Sequence, residues 1–208
     1  MLKSNEWSSI IEEAIKDFST EFLGSPYLCY TEHGIHALFY CRLYARIPEN
    51  ERYMYFGGKK VCIIQKEYPT ADKLDKSMRS HWDVAVLQSP PEPIPKKVPP
   101  YDYLKVHSAI EFGMNETKAH LADDISRLSH PCSYVEHGYI VHLYRIYNPG
   151  QKVSEKDWSS RREILTPNKV SNLVGSKNVN VYYVITNKTE YCNAGFWLIS
   201  SNNITRIM

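Results

Sequence analysis

Two acidic residues lie at the ends of apolar runs that are typical of buried strands. Asp83 lies near the start of HWDVAVL (81–87), and Glu111 lies near the end of SAIEFG (108–113). A third acid, Glu67, is in KKVCIIQKEYP (59–69), a run that Pro69 closes. Carboxyl groups bind hard divalent cations and transfer protons. Whether these three act together depends on how their strands pair.

Hairpin pairing would bring the three acids side by side. A hairpin centred near residue 97 places Asp83 opposite Glu111, and one centred near residue 75 places Glu67 opposite Asp83. Directly opposed like charges destabilise a sheet, and a bound cation would neutralise them. The pairing therefore predicts a site for a hard ion such as Mg²⁺, Mn²⁺ or Ca²⁺. Alternatively, Asp83 and Glu111 only hydrate the strand ends, with Lys66 or Arg79 as ionic partners.

The elements that must position these acids follow from apolar periodicity. Helices are predicted at about 5–21, 31–46 and 115–128, capped by Ser4 or Asn5, by Thr31 and by Asn115, with a further helical segment within 154–174 that Pro167 interrupts. Strands are predicted at 59–69, 81–87, 103–112, 139–147, 179–186 and 196–201. The loops between the first three strands are too short for crossover helices, so these strands should be antiparallel neighbours. The proline-rich stretch 89–100 predicts a stiff surface connection.

We therefore expect a single α/β domain over residues 1–208, a mixed β-sheet flanked by helices. The core should span about 5–147, and an α-β-β extension should span about 148–208. The composition agrees, because 43% hydrophobic and 23% charged residues are typical of a globular chain. The net charge of +2 predicts no particular partner.

The layout resembles the PD-(D/E)xK nuclease superfamily. That family has an acid in an early helix, an Asp at a strand start and Glu-x-Lys on the next strand, followed by a helix and a strand; the matching acids here are Glu32, Asp83 and Glu111. The resemblance covers about residues 5–147 and implies a restriction-endonuclease-like core of order α-β-β-β-α-β. It implies a Mg²⁺- or Mn²⁺-dependent enzyme that hydrolyses phosphodiester bonds of DNA. Asp83 and Glu111, with the Phe112 carbonyl, would be catalytic metal ligands, and Glu32 or Glu67 would complete the shell or orient water.

One position departs from the family pattern. The family's lysine would stand at position 113, where this chain has glycine. Lys118, about one turn into the following helix, is the candidate substitute for positioning water and stabilising charge. Otherwise the chain is a catalytically inactive relative that acts as a nucleic-acid-binding or protein-interaction module. A third alternative is an unrelated α/β interaction protein in which the acids lie far apart.

Other polar residues give weaker signals. Arg161 and Arg162 form the best local basic patch and are the candidate nucleic-acid contact, although neighbouring acids nearly balance their charge. Glu32 and His36 share a helix face, and a surface pair is the favoured interpretation over a metal pair. The remaining histidines show no metal-ligand spacing.

The compartment and partners follow from composition. Five scattered cysteines without a C-x-x-C pair predict reduced thiols and a cytoplasmic protein. The N-terminus carries acids within its apolar pattern, so neither a signal peptide nor a membrane span is expected there. DNA is the expected partner, and the oligomeric state is open, a homodimer included.

Overall fold

A computed structural model of the chain describes residues 3–56, 59–70, 81–88, 105–146, 164–188 and 192–208. The predicted loop 71–80 and the proline-rich stretch 89–100 lie outside these ranges. So does most of the segment before Pro167, which includes Arg161 and Arg162. The helices are α1 (Ser4–Gly24), α2 (Glu32–Arg46), α3 (Lys118–Leu128) and α4 (Pro167–Val174), with 3-10 turns at Glu49–Glu51 and Pro131–Ser133.

The strands of the described ranges form two sheets. A two-stranded sheet pairs β1 (Tyr53–Phe56) with β2 (Lys59–Cys62). A seven-stranded sheet has the order β3-β4-β5-β6-β7-β8-β9, and its strands are β3 (Ile64–Pro69), β4 (His81–Leu87), β5 (Val106–Met114), β6 (Val135–Tyr144), β7 (Val179–Ile185), β8 (Gly195–Ser200) and β9 (Asn203–Arg206). The C-terminal strands thus extend the same sheet.

The large sheet is mixed. Strands β3, β4 and β5 pair antiparallel, β5, β6 and β7 pair parallel through α3 and α4, and β7, β8 and β9 pair antiparallel. The expected mixed sheet flanked by helices is confirmed, and so is the antiparallel order of its first three strands.

Helices cover both faces of the sheet. On β6, Tyr139 reaches Glu12 of α1 with its hydroxyl, while the neighbouring Gly138 packs against Leu128 of α3. Because successive strand residues point to opposite faces, α1 and α3 lie on opposite sides. On the α1 side, Phe112 of β5 packs against Phe18 of α1 and Phe39 of α2, with ring centroids 6.0 and 5.1 Å apart. A continuous core of buried apolar side chains fills both interlayers.

Several element boundaries differ from the predictions. The predicted strand 59–69 is two strands in different sheets, because Ile63 between them donates to the Arg52 carbonyl and accepts from the Leu87 amide. Strand β5 does not end at Phe112 but continues through Gly113 to Met114, and β6 begins at Val135. Strands β1 and β9 were not predicted; every residue of β9 is exposed, so it lacks an apolar alternation.

Three helix starts also differ. Helix α1 begins at Ser4 with Lys3 as its N-cap, so Ser4 and Asn5 lie inside the helix. Thr117, not Asn115, caps α3 by accepting from the His120 amide, whereas Asn115 adopts a φ of 58° and accepts from the Arg145 amide. Pro167 does not interrupt a helix but starts α4, where its fixed φ and missing N–H are tolerated.

Candidate functional site

The two predicted registers are the registers of the sheet. Strands β4 and β5 align Val84 with Ile110 and Ala85 with Ala109, so the next pair outward is Asp83 opposite Glu111. Strands β3 and β4 align Lys66 with Val84 and Tyr68 with Trp82, so Glu67 lies opposite Asp83. Glu67 itself makes no regular pair, because its φ is 53°. The three acids therefore lie at one end of three adjacent strands.

Asp83 is bound on two sides. Its Oδ2 accepts a hydrogen bond of 2.8 Å from the Phe112 amide, which ties the start of β4 to the end of β5. Its Oδ1 lies 3.4 Å from Nδ1 of His36 on α2. The pKa of Asp83 is raised to about 6. Burial is the largest cause and the charges of Glu32 and Glu67 add to it, while the hydrogen bonds with the Phe112 amide and with Glu111 lower the pKa.

Glu111 is buried and has a cationic partner. Burial raises its pKa well above the usual range, the Asp83 charge adds to this, and Arg127 opposes it. Arg127 of α3 donates to Oε1 of Glu111 at 2.8 Å and to Oδ1 of Asp124 at 2.7 Å, and its guanidinium lies 5.4 Å from the Trp82 ring centroid. Burial and the Asp83 charge therefore favour the protonated form of Glu111, which shares a hydrogen bond with Asp83. Arg127, which was not predicted, is the cationic partner of Glu111; of the predicted partners, Lys66 pairs with Glu67, and Arg79 lies outside the described residues.

The other two predicted metal ligands do not join this pair directly. Glu32 accepts a hydrogen bond of 2.9 Å from the Met114 amide, and burial raises its pKa. It thereby fastens the first turn of α2 to the end of β5. Glu67 pairs with Lys66 across 3.2 Å and is half exposed. The expected surface pair of Glu32 with His36 is wrong, because His36 is buried and faces Asp83.

Glu67 instead lies beside two imidazoles. One ligand atom from each of His33, His36 and Glu67 lies within 4.8 Å of the others. Within the described residues, the other such group is His107, Glu136 and His137, near the N-terminal ends of the parallel strands β5 and β6. Neither group was predicted from the sequence. The i, i+3 spacing of His33 and His36 places both on one helix face and could have indicated the first group.

The surroundings of Gly113 and Lys118 bear on the family's lysine, which this chain lacks at position 113. A Cβ atom at Gly113 would lie 2.8 Å from Nδ1 of His142, the residue aligned with it on β6. The neighbouring imidazole thus leaves no room for a lysine there. Lys118 is the first residue of α3 and its side chain is exposed. Arg161 and Arg162 lie outside the described residues, so their predicted role stays a prediction.

The pair of Asp83 and Glu111 suits a cation that prefers oxygen ligands. The buried Glu111 and the partly buried Asp83 share one hydrogen bond, and burial raises the pKa of both carboxyl groups. A divalent ion would replace the shared proton and stabilise both carboxylates. Arg127 holds one oxygen of Glu111 and would remain as a neighbour of the ion.

Comparisons with known proteins supply no relative. No family model, no curated protein and no solved structure matches this chain. In the described part of the chain, no helix combines the length and the apolar character needed to cross a membrane.

Proposed function

We propose that this protein is a divalent-metal-dependent phosphodiesterase of the nuclease type that acts on DNA. The observation that carries the proposal is the meeting of Asp83 and Glu111 across β4 and β5, at hydrogen-bonding distance and with raised pKa values. Perturbed carboxyl groups with a charged partner are more common at functional sites than elsewhere.

The element order supports a restriction-endonuclease-like core. After α1 and α2, strands β3, β4 and β5 form an antiparallel meander, α3 follows, and β6 returns parallel to β5. This is the α-β-β-β-α-β order that the family resemblance implies, with the β1–β2 hairpin inserted before it. On this proposal, the strands that carry Asp83 and Glu111 would correspond to the family's acidic strands.

The roles of the residues follow from their contacts. Asp83 and Glu111, with the carbonyl of Phe112, would hold Mg²⁺ or Mn²⁺. When bound, such an ion polarises a phosphate and lowers the pKa of a water. The Phe112 amide holds Asp83 in place, and Arg127 holds Glu111 in place. Lys118, exposed at the start of α3, is the proposed phosphate contact. It would replace the family's lysine, which the His142 imidazole excludes from position 113.

DNA cleavage in the presence of Mg²⁺ or Mn²⁺ tests the proposal. Plasmid and single-stranded DNA would be incubated with the wild-type protein and with Asp83→Asn, Glu111→Gln and the matched control Asp17→Asn, an exposed acid paired with Arg46 on the surface. Loss of an outer-shell partner lowers the activity of metal enzymes about 10- to 100-fold, so loss of either proposed ligand should cost more than about 100-fold. Equal cleavage by all four proteins would show that the activity is a contaminant.

An inactive relative is the second candidate, and two observations favour it. The imidazole of His142 fills the space of the expected lysine, and Arg127 already neutralises Glu111. Such a protein would act by binding nucleic acid or another protein. A gel-shift assay separates the two candidates, because the inactive relative would retain DNA without cleaving it and would bind equally well after Asp83→Asn.

We also infer a cytoplasmic location. All five cysteines are free thiols, as expected in a reducing compartment. Labelling of the thiols in intact cells with a membrane-permeant and a membrane-impermeant maleimide checks this, since only the permeant reagent should react.

A further inference from the structure

His33, His36 and Glu67 form a compact group of nitrogen and oxygen ligands at the start of α2. The two histidines are three residues apart and share a helix face, and Glu67 reaches them from β3. One ligand atom from each lies within 4.8 Å of the others. Thr31 fixes this helix start by accepting a hydrogen bond of 3.1 Å from the Gly34 amide.

His36 is buried without the hydrogen bonds that a buried imidazole requires. It is 2% exposed, and neither ring nitrogen has a hydrogen-bond partner among the described residues. Asp83 Oδ1 approaches Nδ1 to 3.4 Å without forming a hydrogen bond, and Nε2 also has no hydrogen-bond partner among the described residues. Buried polar groups without partners are costly and rare, so each requires an explanation.

Glu67 is held in a strained backbone conformation. Its φ of 53° is in the left-handed region, although the flanking residues Lys66 and Tyr68 keep their regular pairs with β4. A residue with a side chain adopts this conformation at a cost, and such strain is concentrated at binding and catalytic sites. Here the strained residue is the one whose carboxylate meets the two imidazoles.

We propose that His33, His36 and Glu67 bind one divalent transition-metal ion of the Zn²⁺ class. Two imidazoles and one carboxylate form a ligand set used by zinc enzymes, with a further position left for water. The oxygen preference of Mg²⁺ makes it a poor competitor for such a set. Asp83 faces the Nδ1 side of His36 and would orient the ring while Nε2 binds the ion, as carboxylates do for metal-binding histidines.

This site adjoins the proposed Mg²⁺ or Mn²⁺ site through the contact of His36 with Asp83, but its ligands are different. It uses two imidazoles and the Glu67 carboxylate, whereas Asp83 and Glu111 offer only oxygens. Ion binding here requires no phosphodiesterase activity, so either proposal can fail alone.

Titration of the full-length protein, stripped of metal by a chelator, tests the proposal. Co²⁺ would be added as a spectroscopic probe, because its visible absorption reports nitrogen and oxygen ligation. We expect one Co²⁺ per chain, displacement by equimolar Zn²⁺, and no displacement by a hundredfold excess of Mg²⁺. Absence of Co²⁺ and Zn²⁺ binding by the wild-type protein would overturn the proposal.

Variants assign the ion to this group. His33 is exposed, so His33→Ala should keep the fold and weaken Co²⁺ binding at least tenfold, and Glu67→Gln should do the same. The matched control is His137→Ala, from the other group of His107, Glu136 and His137. Loss of binding in His137→Ala, with unchanged affinity in His33→Ala and Glu67→Gln, would refute the assignment.

Glu67→Gly gives a second readout that does not depend on activity. Glycine accepts a positive φ without strain, so this variant should unfold at a higher urea concentration than the metal-free wild type while losing Co²⁺ binding. A Glu67→Gly protein that binds Co²⁺ with wild-type affinity would also contradict the proposal.

Discussion

Gly113 is required at its position by the imidazole of His142 on the neighbouring strand. His142 is fully buried and stacks on Tyr183, with ring centroids 5.7 Å apart, so it has little room to move. A Cβ at position 113 would approach its Nδ1 to 2.8 Å, closer than atoms in contact allow. The glycine is therefore explained by packing, whatever the catalytic history of the chain.

Gly113→Ala should destabilise the protein by about 1–2 kcal/mol, because overpacking a tight interior costs more than the alanine gains in backbone entropy. Urea unfolding of the variant at pH 7 measures the change. Gly24→Ala is the matched control, because a Cβ there would meet nothing within 4 Å. Equal urea midpoints of unfolding for both variants would show that the His142 side chain moves aside at no cost in stability.

At the scale of elements, Arg127 connects α3 to the C-terminal part of β5. The guanidinium is buried between Glu111 of the strand and Asp124 of its own helix. Removing one partner from a buried ionic group leaves charges without compensation, which costs far more than losing a surface pair. The helix therefore positions the acid pair electrostatically as well as by packing.

Arg127→Met should lower the free energy of unfolding by about 3 kcal/mol at pH 7. The penalty should be smaller at pH 5, because the Glu111 and Asp124 carboxyl groups, whose pKa values are raised by burial, are then protonated more readily. Arg42→Met breaks the partly exposed pair with Glu21 and should cost less than about 1 kcal/mol. A smaller loss for Arg127→Met than for Arg42→Met would contradict the role given to Arg127.

At the scale of the whole molecule, buried histidines couple stability to pH. Burial lowers the pKa of His142 from 6.5 to about 3, and burial also lowers the pKa of His107. Such groups stay neutral in the folded protein but take up protons when it unfolds below pH 6.5. They therefore destabilise the fold as pH falls from 6.5 toward the folded pKa. Glu111 acts in the opposite direction, because its folded pKa is raised.

His142→Leu should remove its share of this dependence. Between pH 7 and pH 5 the wild-type free energy of unfolding should fall by about 2 kcal/mol more than that of the variant, as the pKa shift requires. Chemical denaturation at both pH values measures the difference. Identical pH dependence in the two proteins would mean that His142 is protonated in the fold.

The predictions from sequence held where local pattern decides structure. Apolar periodicity located α1, α2 and most strands, and Thr31 was identified as the α2 cap. The predictions failed where tertiary contacts decide the structure. Ile63 divides one apolar run between two sheets. Asn115 accepts a hydrogen bond from the Arg145 amide and does not cap α3 as predicted. Burial of His36 was also missed, because its neighbours Asp83 and Phe112 are distant in sequence.

The sequence by itself determined that Asp83 and Glu111 lie on apolar strands at positions that one hairpin register brings together, and β4 and β5 pair in that register. Only the tertiary structure decided their surroundings. Arg127 reaches Glu111 because α3 packs on that face of the sheet, and His142 excludes a lysine because β6 pairs parallel with β5. His33 and His36 meet Glu67 through helix packing and a left-handed backbone at residue 67. Such contacts depend on the packing of distant segments, which no local periodicity encodes.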